Sequence, residues 1–325
     1  MRPPHLAALI ALSVIWGSAF MLVKVVLEEV PPLTLVAGRL AGAFLFLAAT
    51  LLVTGKALPH SRRAWTIFVV LGLGNNVWPF TLLTWGQQHI ESSLAAILVA
   101  SMPLSTVVLA HFWIDERLTI DRALGVIVGF GGVFFLIGGD LRDLMESSTL
   151  GQLAIIGGVL GYSFGTVFAR RYLQDGDSAV YAAGQTLVGA SLMIPVALAA
   201  DRPFDLDISA KAGLAWATLG VLSSGVAYLL FFWLIRHITA TQASMVSYLI
   251  PITAVFLGAL VLDERLAANS FVGLALIIVG VWVVSGGGAW LGERLRWGRE
   301  PVAVEPVGGA PARRQRERDL PRGLK

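Results

Sequence analysis

The charged residues of this chain leave ten long stretches that contain no Asp, Glu, Lys or Arg. Each stretch has 16 or more residues, and a helix needs about 20 mostly apolar residues to cross the hydrocarbon of a bilayer. A few residues before Arg39 and Arg122 complete the two short stretches. Because unpaired backbone amides are too costly in lipid, each span must be helical. The stretches are 3–23, 40–55, 64–90, 92–114, 123–139, 147–169, 178–200, 212–235, 237–262 and 266–292.

Composition agrees with this interpretation. Of the 325 residues, 56% are hydrophobic and 14% are charged, whereas an ordinary soluble domain has about 25% charged residues.

The first stretch continues as "IWGSAFMLVKVV" without a small-residue cleavage site, so we predict a retained helix and not a signal peptide. The chain has no Cys, which excludes disulfides and thiolate metal sites, and we predict no metal and no cofactor.

The positive charges predict the orientation in the membrane. Lys and Arg concentrate in cytoplasmic loops. One side of the membrane holds 18 of them, counted over the N-terminus, the tail and the connections that follow predicted helices 2, 4, 6 and 8. The other side holds 5. We therefore expect both termini to be cytoplasmic, in a multi-pass protein of the bacterial cytoplasmic (inner) membrane.

The tetrapeptide Asp-Glu-Arg-Leu occurs twice, at 115–118 and 263–266, each time where an apolar run ends. A shift of 148 residues aligns more than this motif, and a shift of 146 aligns the preceding helices, where Gly38-Arg39 meets Gly184-Gln185. The pairs matched at 148 include Trp85 with Trp233, His89 with His237, Pro103 with Pro251 and Gly132 with Gly280.

Two copies of five helices each must enter the membrane from opposite sides, because five is an odd number. The sequence thus predicts an all-α membrane protein of ten transmembrane helices, built as two inverted five-helix repeats. Secondary transporters use this plan, in which two related halves expose a central site to each side in turn. The predicted domains are residues 1–139 and 150–290, followed by a disordered basic cytoplasmic tail, 291–325.

The motifs that carry a family resemblance are "WGSAFMLVK", "GRLAGAFL", "MPLSTVVLAHFWIDERLT" and "IPITAVFLGALVLDERLA". With the doubled pattern, they resemble the EamA-type ten-helix exporters of the drug/metabolite transporter superfamily, over residues 6–290. The resemblance implies a carrier for small metabolites, often amino acids or amphiphilic compounds, usually directed outward. Gln185 departs from the pattern because it replaces an Arg in the second copy.

Polar and aromatic residues within the spans are the candidates for binding a small substrate. "GNNVWPF" in helix 3 is matched by "LSSGVAY" in helix 8. Interhelical hydrogen bonds would explain any one of these residues, but the matched set is typical of a cavity for a small amphiphile. The predicted substrate-binding residues are Trp16, Asn75, Asn76, Trp78, Ser101, Tyr162, Ser223, Ser224, Tyr228 and Tyr248.

A second group of residues is predicted to act in gating or in structure. Arg39 is a cation within a span, where a charge is expensive and usually faces the bundle interior; it either caps helix ends or holds a substrate carboxylate. Pro103 and Pro251 each remove a helical hydrogen bond and form either a static kink or a hinge. Glu116 and Glu264 end helices 4 and 9, where they cap the next helix or close a gate at each face.

Several alternatives remain open. No Asp or Glu lies near the middle of a span, although ion-coupled carriers often place a carboxylate there, so a passive facilitator or an importer is the rival within transport. A membrane-embedded enzyme would need clustered His, Asp or Glu, and a scaffold or sensor would not need matched polar sets. No nucleotide-binding P-loop is present. We expect a small-molecule substrate and the lipid bilayer as partners, no nucleotide or nucleic acid, and a monomer or homodimer.

Overall fold

The computed structural model describes residues 3–114, 118–137, 147–172, 177–237 and 245–287. All of them belong to one compact unit, Met1–Ala289. Within these ranges the secondary structure is helical and contains no strand. The predicted tail, 291–325, lies outside the described residues.

Five helical segments form the first half of the chain. Two of them are interrupted: α3 contains a π-helical turn, and α4 is broken at Ala100 and Ser101. The segments are α1 (Pro3–Leu27), α2 (Pro32–Val53), α3 (Arg62–Leu71, Gly72–Val77 and Trp78–Gly86), α4 (Ser92–Val99 and Met102–Ile114) and α5 (Ile120–Leu136).

The second half follows the same order. Its third segment again contains a π-helical stretch. The segments are α6 (Ser147–Tyr172), α7 (Ser178–Ala200), α8 (Ala210–Thr218, Leu219–Val226 and Ala227–His237), α9 (Met245–Val261) and α10 (Ala268–Trp282, continued by Val283–Gly287).

Eight of these segments are long and apolar enough to cross a membrane, namely α1 to α4, α6, α7, α8 and α10. The apolar part of α9, Leu249–Val261, is shorter, and α5 has 17 residues. Large hydrophobic side chains cover the outside of the helices, for example Phe112, Leu214 and Phe256. Exposed apolar surface of this extent requires a partner, and lipid provides it. The protein is therefore a multi-pass membrane protein, whereas ten crossings in two inverted repeats remain a prediction.

Several helices begin with a side-chain cap that satisfies a free backbone amide. Ser61 accepts from the Ala64 amide, Asp177 from Ala179 and Ser209 from Ala212. At the starts of α4 and α10, the residues Glu91 and Ala267 give no such bond. The amides at the start of α4 therefore need an acceptor from elsewhere in the chain.

The two π-helical stretches, Gly72–Val77 and Leu219–Val226, lie at positions matched by the shift of 148 residues. A π-turn widens the helix locally and occurs frequently at functional sites. Here it contains Asn75 and Asn76 in α3, and Ser223 and Ser224 in α8. The sequence matching found these positions, but it gave no sign of the π geometry.

Small residues let α5 and α10 approach closely. A Cβ added at Gly125 would lie 2.8 Å from the carbonyl oxygen of Gly280, and one at Gly132 would lie equally close to that of Gly273. A side chain at these positions would push the helices apart. Small residues on one face of each helix thus allow this pair to pack closely.

The prolines of the two halves behave differently. The helix α4 is interrupted just before Pro103, as expected where a ring removes a backbone donor. Pro251 instead lies inside a continuous α9. The break in α4 has no equivalent around Pro251, so the two matched prolines lie in different local structures.

Contacts between helix connections sort into two groups. Glu29 accepts from Ser209, Asp201 accepts from Thr34, and Glu264 accepts from Ser92. These residues define the Glu264 end, which holds the turns after α1, α3, α7 and α9.

The other group defines the Lys56 end. There Lys56 pairs with Asp177 at 2.6 Å, Arg171 donates to the carbonyl of Trp113, and His5 lies beside His237. The turn after α2 meets the start of α7 at this end, and the last described residues of α4, α6 and α8 lie there as well. None of these contacts joins one end to the other, as expected if each helix runs from end to end.

Candidate functional site

Arg39 lies in the interior of the bundle, in the first half of α2. It is 9% exposed. Its Nε donates to the Ser224 hydroxyl at 2.9 Å, and its guanidinium carbon lies 3.9 Å from the centre of the Phe80 ring. A cation over an aromatic face is attracted by the ring quadrupole. The side chain thus joins α2 to α8 and α3.

A second contact joins α3 and α8 directly. The Tyr228 hydroxyl donates to Oδ1 of Asn76 at 2.9 Å, and Asn76 is fully buried. Tyr228 comes four residues after Ser224, and Phe80 comes four residues after Asn76, so each pair lies along one side of its helix. These three contacts and the two same-side pairs connect the five residues Arg39, Asn76, Phe80, Ser224 and Tyr228, which we call the polar ring.

The polar ring combines matched positions of the two halves. A shift of 148 residues takes Asn76 to Ser224 and Phe80 to Tyr228. Arg39 is matched by Gln185, which is also buried, at 3% exposure. The position that carries the charge in one half therefore carries a neutral amide in the other.

Three buried polar atoms at these matched positions have no hydrogen-bond partner. They are Nδ2 of Asn76, Oγ of Ser223 and Oε1 of Gln185. An unsatisfied buried polar group costs about 1–3 kcal/mol, and each such group in a native structure needs an explanation. The described residues contain three more such atoms away from the π-helical stretches, on Gln87, Ser92 and Gln152.

Close helix contacts position the ring. Gly42 of α2 and Gly220 of α8 face each other, since a Cβ on Gly42 would be 3.4 Å from the Gly220 Cα. On the other side, a Cβ on Gly189 of α7 would lie 3.5 Å from the Cβ of Asn76. Because these glycines have no side chain, α2 and α7 approach the π-helical stretches of α8 and α3 closely.

Two more of the predicted residues border the ring or lie beyond it. Tyr162 packs edge-on against Phe80, with ring centroids 6.3 Å apart. Trp16 lies between α1 and α8, 5.4 Å from Phe231 by ring centroids. Ser223 is buried next to the ring residue Ser224. The structure therefore brings Arg39, Asn76, Ser224, Tyr228 and Tyr162 together, as a set with Phe80. Ser223 directly precedes Ser224, so its side chain points in another direction.

Three predicted residues lie elsewhere. Asn75 points at α6, where a Cβ on Gly165 would collide with its amide. Trp78 is 57% exposed on the outside of the bundle and donates from Nε1 to the Gly157 carbonyl. Ser101 donates to the Leu98 carbonyl at the break in α4. The side chain of Tyr248 lies outside the described residues.

A cavity of about 140 Å³ opens near the Glu264 end, between α2, α7 and α8. Its lining is almost entirely apolar and includes none of the ring residues; it comprises Thr34, Ala37, Gly38, Ala41, Ile194, Ala197, Leu198, Pro203 and Trp216. It lacks the polar groups that would orient a small molecule. In the described part of the chain, no cluster of three His, Asp or Glu side chains could hold a metal ion.

Glu264 makes the most extensive side-chain contact at the Glu264 end. Its two carboxylate oxygens accept from the backbone amides of Ser92 and Ser93, at 2.7 and 3.0 Å, and from the Ser93 hydroxyl. An acceptor with negative charge is favoured at a helix start. Glu264 thus supplies the cap that Glu91 does not provide.

This contact differs from the cap predicted from the sequence. We expected Glu264 to cap the helix that follows it, but its partners are 171 and 172 residues away, at the start of α4. The turn after α9 folds back onto the end of that helix. Asp263 has a left-handed φ of 53°, and the Glu264 amide donates to the Gly258 carbonyl. Glu116, the matched residue in the first half, lies outside the described residues.

Two more charged residues lie beside Glu264. Burial, followed by the nearby charge of Glu264, raises the pKa of Glu91, and Lys24 opposes the rise. We call Lys24, Glu91 and Glu264 the charged cluster. The cluster joins the end of α1, the start of α4 and the turn after α9.

Sequence reasoning missed Phe80 and the charged cluster as a group. Phe80 had a recognisable signal, because it stands at the position that matches Tyr228 and four residues after Asn76. For the charged cluster the sequence showed only that its members lie at helix ends.

Comparison with known proteins confirms the family resemblance. The sequence profile of the EamA-like transporter family matches residues 4–138 and again residues 149–286. The chain is 25% identical over 277 residues to the uncharacterized transporter YoaV of Bacillus subtilis, covering 85% of this chain and 94% of YoaV. It is 28% identical over 287 residues to the uncharacterized inner membrane transporter YedA of Escherichia coli K12, covering 87% and 90%.

A solved crystal structure has the same fold. It superposes with a TM-score of 0.64 at 20% identity, over 91% of this chain and 99% of that one. The family profile matches both halves, and the relatives are named as transporters. These matches support membrane transport, and they show that the chain belongs to the EamA-like transporter family.

Proposed function

We propose that this protein is a secondary carrier that moves a small metabolite, amino acid-like or amphiphilic, across the cytoplasmic membrane by alternating access, with efflux as the direction. The observation that carries the proposal is the polar ring with its unpartnered neighbours, buried among apolar helices. Polar groups at this depth are expensive and mark substrate pathways.

Matched features of the two halves support the alternating mechanism. The π-helical stretches of α3 and α8 correspond, and the ring takes Asn76 and Ser224 from matched positions. Two inverted copies around a central site can exchange conformations and so open the site to either side. The two groups of end contacts are those expected for ten crossings.

The orientation follows from the positive charges. With 18 Lys and Arg assigned to one side and 5 to the other, the Lys56 end faces the cytoplasm and the Glu264 end faces outward. Both termini are then cytoplasmic. The relative YedA, named as an inner membrane transporter, supports a bacterial inner-membrane location.

Glu264 is suited to close the outer side. Its bonds to Ser92 and Ser93 hold the turn after α9 against the start of α4, so removing them favours the outward-open state. By the inverted repeat, Glu116→Gln favours the inward-open state. A change of about 1.4 kcal/mol in the difference between the two states shifts their ratio tenfold.

Two alternatives predict different measurements. A passive facilitator or an importer of the same compounds would use the same ring, and differs only in coupling and direction. A membrane-embedded enzyme would convert its substrate, which analysis of the compounds recovered after incubation would reveal.

Uptake of labelled metabolites by proteoliposomes tests the proposal. We expect flux above that of protein-free liposomes, and we expect Asn76→Leu to lower it by about tenfold or more, because Tyr228 loses its acceptor and the ring loses a polar group. Gly131→Ala is the matched control, since nothing lies within 4 Å of a Cβ there. Unchanged flux in folded Asn76→Leu protein would place the pathway elsewhere, and no flux for any metabolite would refute transport.

A further inference from the structure

Among the described residues, no acidic side chain pairs with the charge of Arg39. Its described contacts are with Ser224 and the Phe80 ring, and no ion pair to Arg39 occurs among the described residues. An unpaired cation in a low-dielectric interior costs several kcal/mol. A negative charge that reaches Arg39 from outside the chain would remove that cost.

The unused groups around this charge are mainly hydrogen-bond donors. Nε of Arg39 is bonded to Ser224, whereas the two terminal nitrogens have no hydrogen-bond acceptor in the described structure. Asn76 uses Oδ1 for Tyr228 and leaves Nδ2 unpartnered. A ligand that accepts several hydrogen bonds and carries negative charge complements these groups.

The charge and the shape of the site narrow the class of ligand further. One positive charge balances one negative charge, which fits a carboxylate better than a phosphate dianion. The planar guanidinium also binds carboxylates through two parallel bonds. Phe80 and Tyr162 lie edge to face beside Arg39, so the rest of the ligand would meet aromatic surface. The described contacts of the ring include no acidic side chain that would balance an ammonium group.

We propose that Arg39, with Asn76, binds the carboxylate of a small organic anion whose apolar body lies against Phe80 and Tyr162. The inference builds on the proposed transport function and names its substrate class. Simple organic acids are preferred over amino acids, whose ammonium group has no counter-charge here, and amines are excluded.

Binding to the purified protein in detergent tests this without requiring transport. The readout is the shift in unfolding temperature with increasing ligand, because a ligand that binds the folded state raises it. The probes are acetate, butyrate, benzoate and 3-phenylpropanoate. The matched compounds are 3-phenylpropanamide, phenylalanine and 2-phenylethylamine, which keep the aromatic body and change the charged group.

We expect at least one carboxylate to stabilise the protein, and the amide and the amine to have no effect. Arg39→Gln should weaken carboxylate binding by about tenfold or more, the range for a lost charged hydrogen bond. This variant places at position 39 the residue that stands at the matched position 185. Arg39→Lys keeps the charge and loses the planar fork, so it should bind with intermediate affinity. Lys211→Gln removes one charge at an exposed site and should bind as the unmodified chain does.

Other results would overturn the proposal. These are no stabilisation by any carboxylate, equal stabilisation by sodium chloride alone, or stabilisation by the amine. If Arg39 serves only to tie α2 to α8, then Arg39→Lys and Arg39→Gln lower the unfolding temperature but leave the preference for carboxylates unchanged. Carboxylate binding without proteoliposome flux would refute transport and leave this site standing, whereas flux of amines would refute the site and leave transport standing.

Discussion

Asn75 and Asn76 are neighbours in sequence, yet their side chains have different surroundings. Successive residues in a helix point about 100° apart, so only one of the two can face the ring. Asn76 reaches Tyr228, and Asn75 points at Gly165 of α6. The sequence could predict that this pair lies at mid-span, but the choice between them depends on how the π-helical stretch rotates.

The same reasoning applies to Trp78 and Phe80. An aromatic residue near a polar pair is a reasonable candidate for a binding site, and we predicted Trp78. Two residues further on, Phe80 faces Arg39, while Trp78 points outward and is 57% exposed. Helix rotation decides which aromatic is used, and rotation is set by tertiary packing that one sequence does not reveal.

At the residue scale we predict the effect of Gly258→Ala. A Cβ at this position would collide with the Ser93 hydroxyl and the Glu264 carboxylate, so the cap on α4 must shift. Overpacking of this kind costs about 1–3 kcal/mol, and we expect a lower unfolding temperature in detergent. In a Glu264→Ala background the same substitution should cost markedly less, since the carboxylate is gone. Additive losses would mean that Gly258 and Glu264 are independent.

At the scale of elements, the charged cluster connects three segments through side chains from both halves. The position of Glu264 after an apolar run predicted that it caps a helix. The same position predicted the adjacent helix as the one that it caps. The actual partner, the start of α4, is 172 residues away. Tertiary proximity of this kind cannot be read from local spacing.

The raised pKa of Glu91 predicts how the cluster responds to pH. Burial and the charge of Glu264 disfavour the ionised form, so the protonated form stabilises the folded, closed cluster. That stabilisation is present below the ordinary pKa of a Glu side chain and is lost as pH rises through the raised pKa of Glu91. Because Glu91 is partly exposed, the effect should be below about 1 kcal/mol.

The measurement is the unfolding temperature across this pH range, compared with Glu91→Gln. The variant should gain stability relative to the unmodified chain as pH rises, since its amide cannot ionise. A difference that stays constant with pH, or that changes in the opposite direction, would show that Glu91 does not titrate against Glu264.

At the scale of the whole molecule, the sequence predicted a helical membrane protein of the right family. Eight segments meet the length and hydropathy needed to cross the bilayer, and the remaining two predicted spans correspond to the shorter α5 and α9. Apolar length is a local property, which is why it was predictable. The ring forms through packing between the two halves of the chain. The sequence supplied only the matched positions of its residues.

The charge asymmetry makes a prediction for topology. A reporter fused after Lys325 should be cytoplasmic, and a reporter inserted between Asp205 and Asp207, in the turn after α7, should be external. The reason is the excess of Lys and Arg on the side of the termini. An external reporter at the C-terminus would overturn the orientation, and two reporters on the same side would overturn the number of crossings between them.

The central claim is that one buried site opens to each side in turn, and two-sided thiol labelling tests it most directly. The chain has no Cys, so Ser224→Cys, a near-isosteric change at a ring residue, introduces a single thiol. We predict that a membrane-impermeant thiol reagent labels it from either side of oriented vesicles, and that Glu264→Gln speeds outside labelling while slowing inside labelling. A thiol that stays unreactive from both sides, or whose two labelling rates do not change in opposite directions with Glu264→Gln, would contradict alternating access through this site.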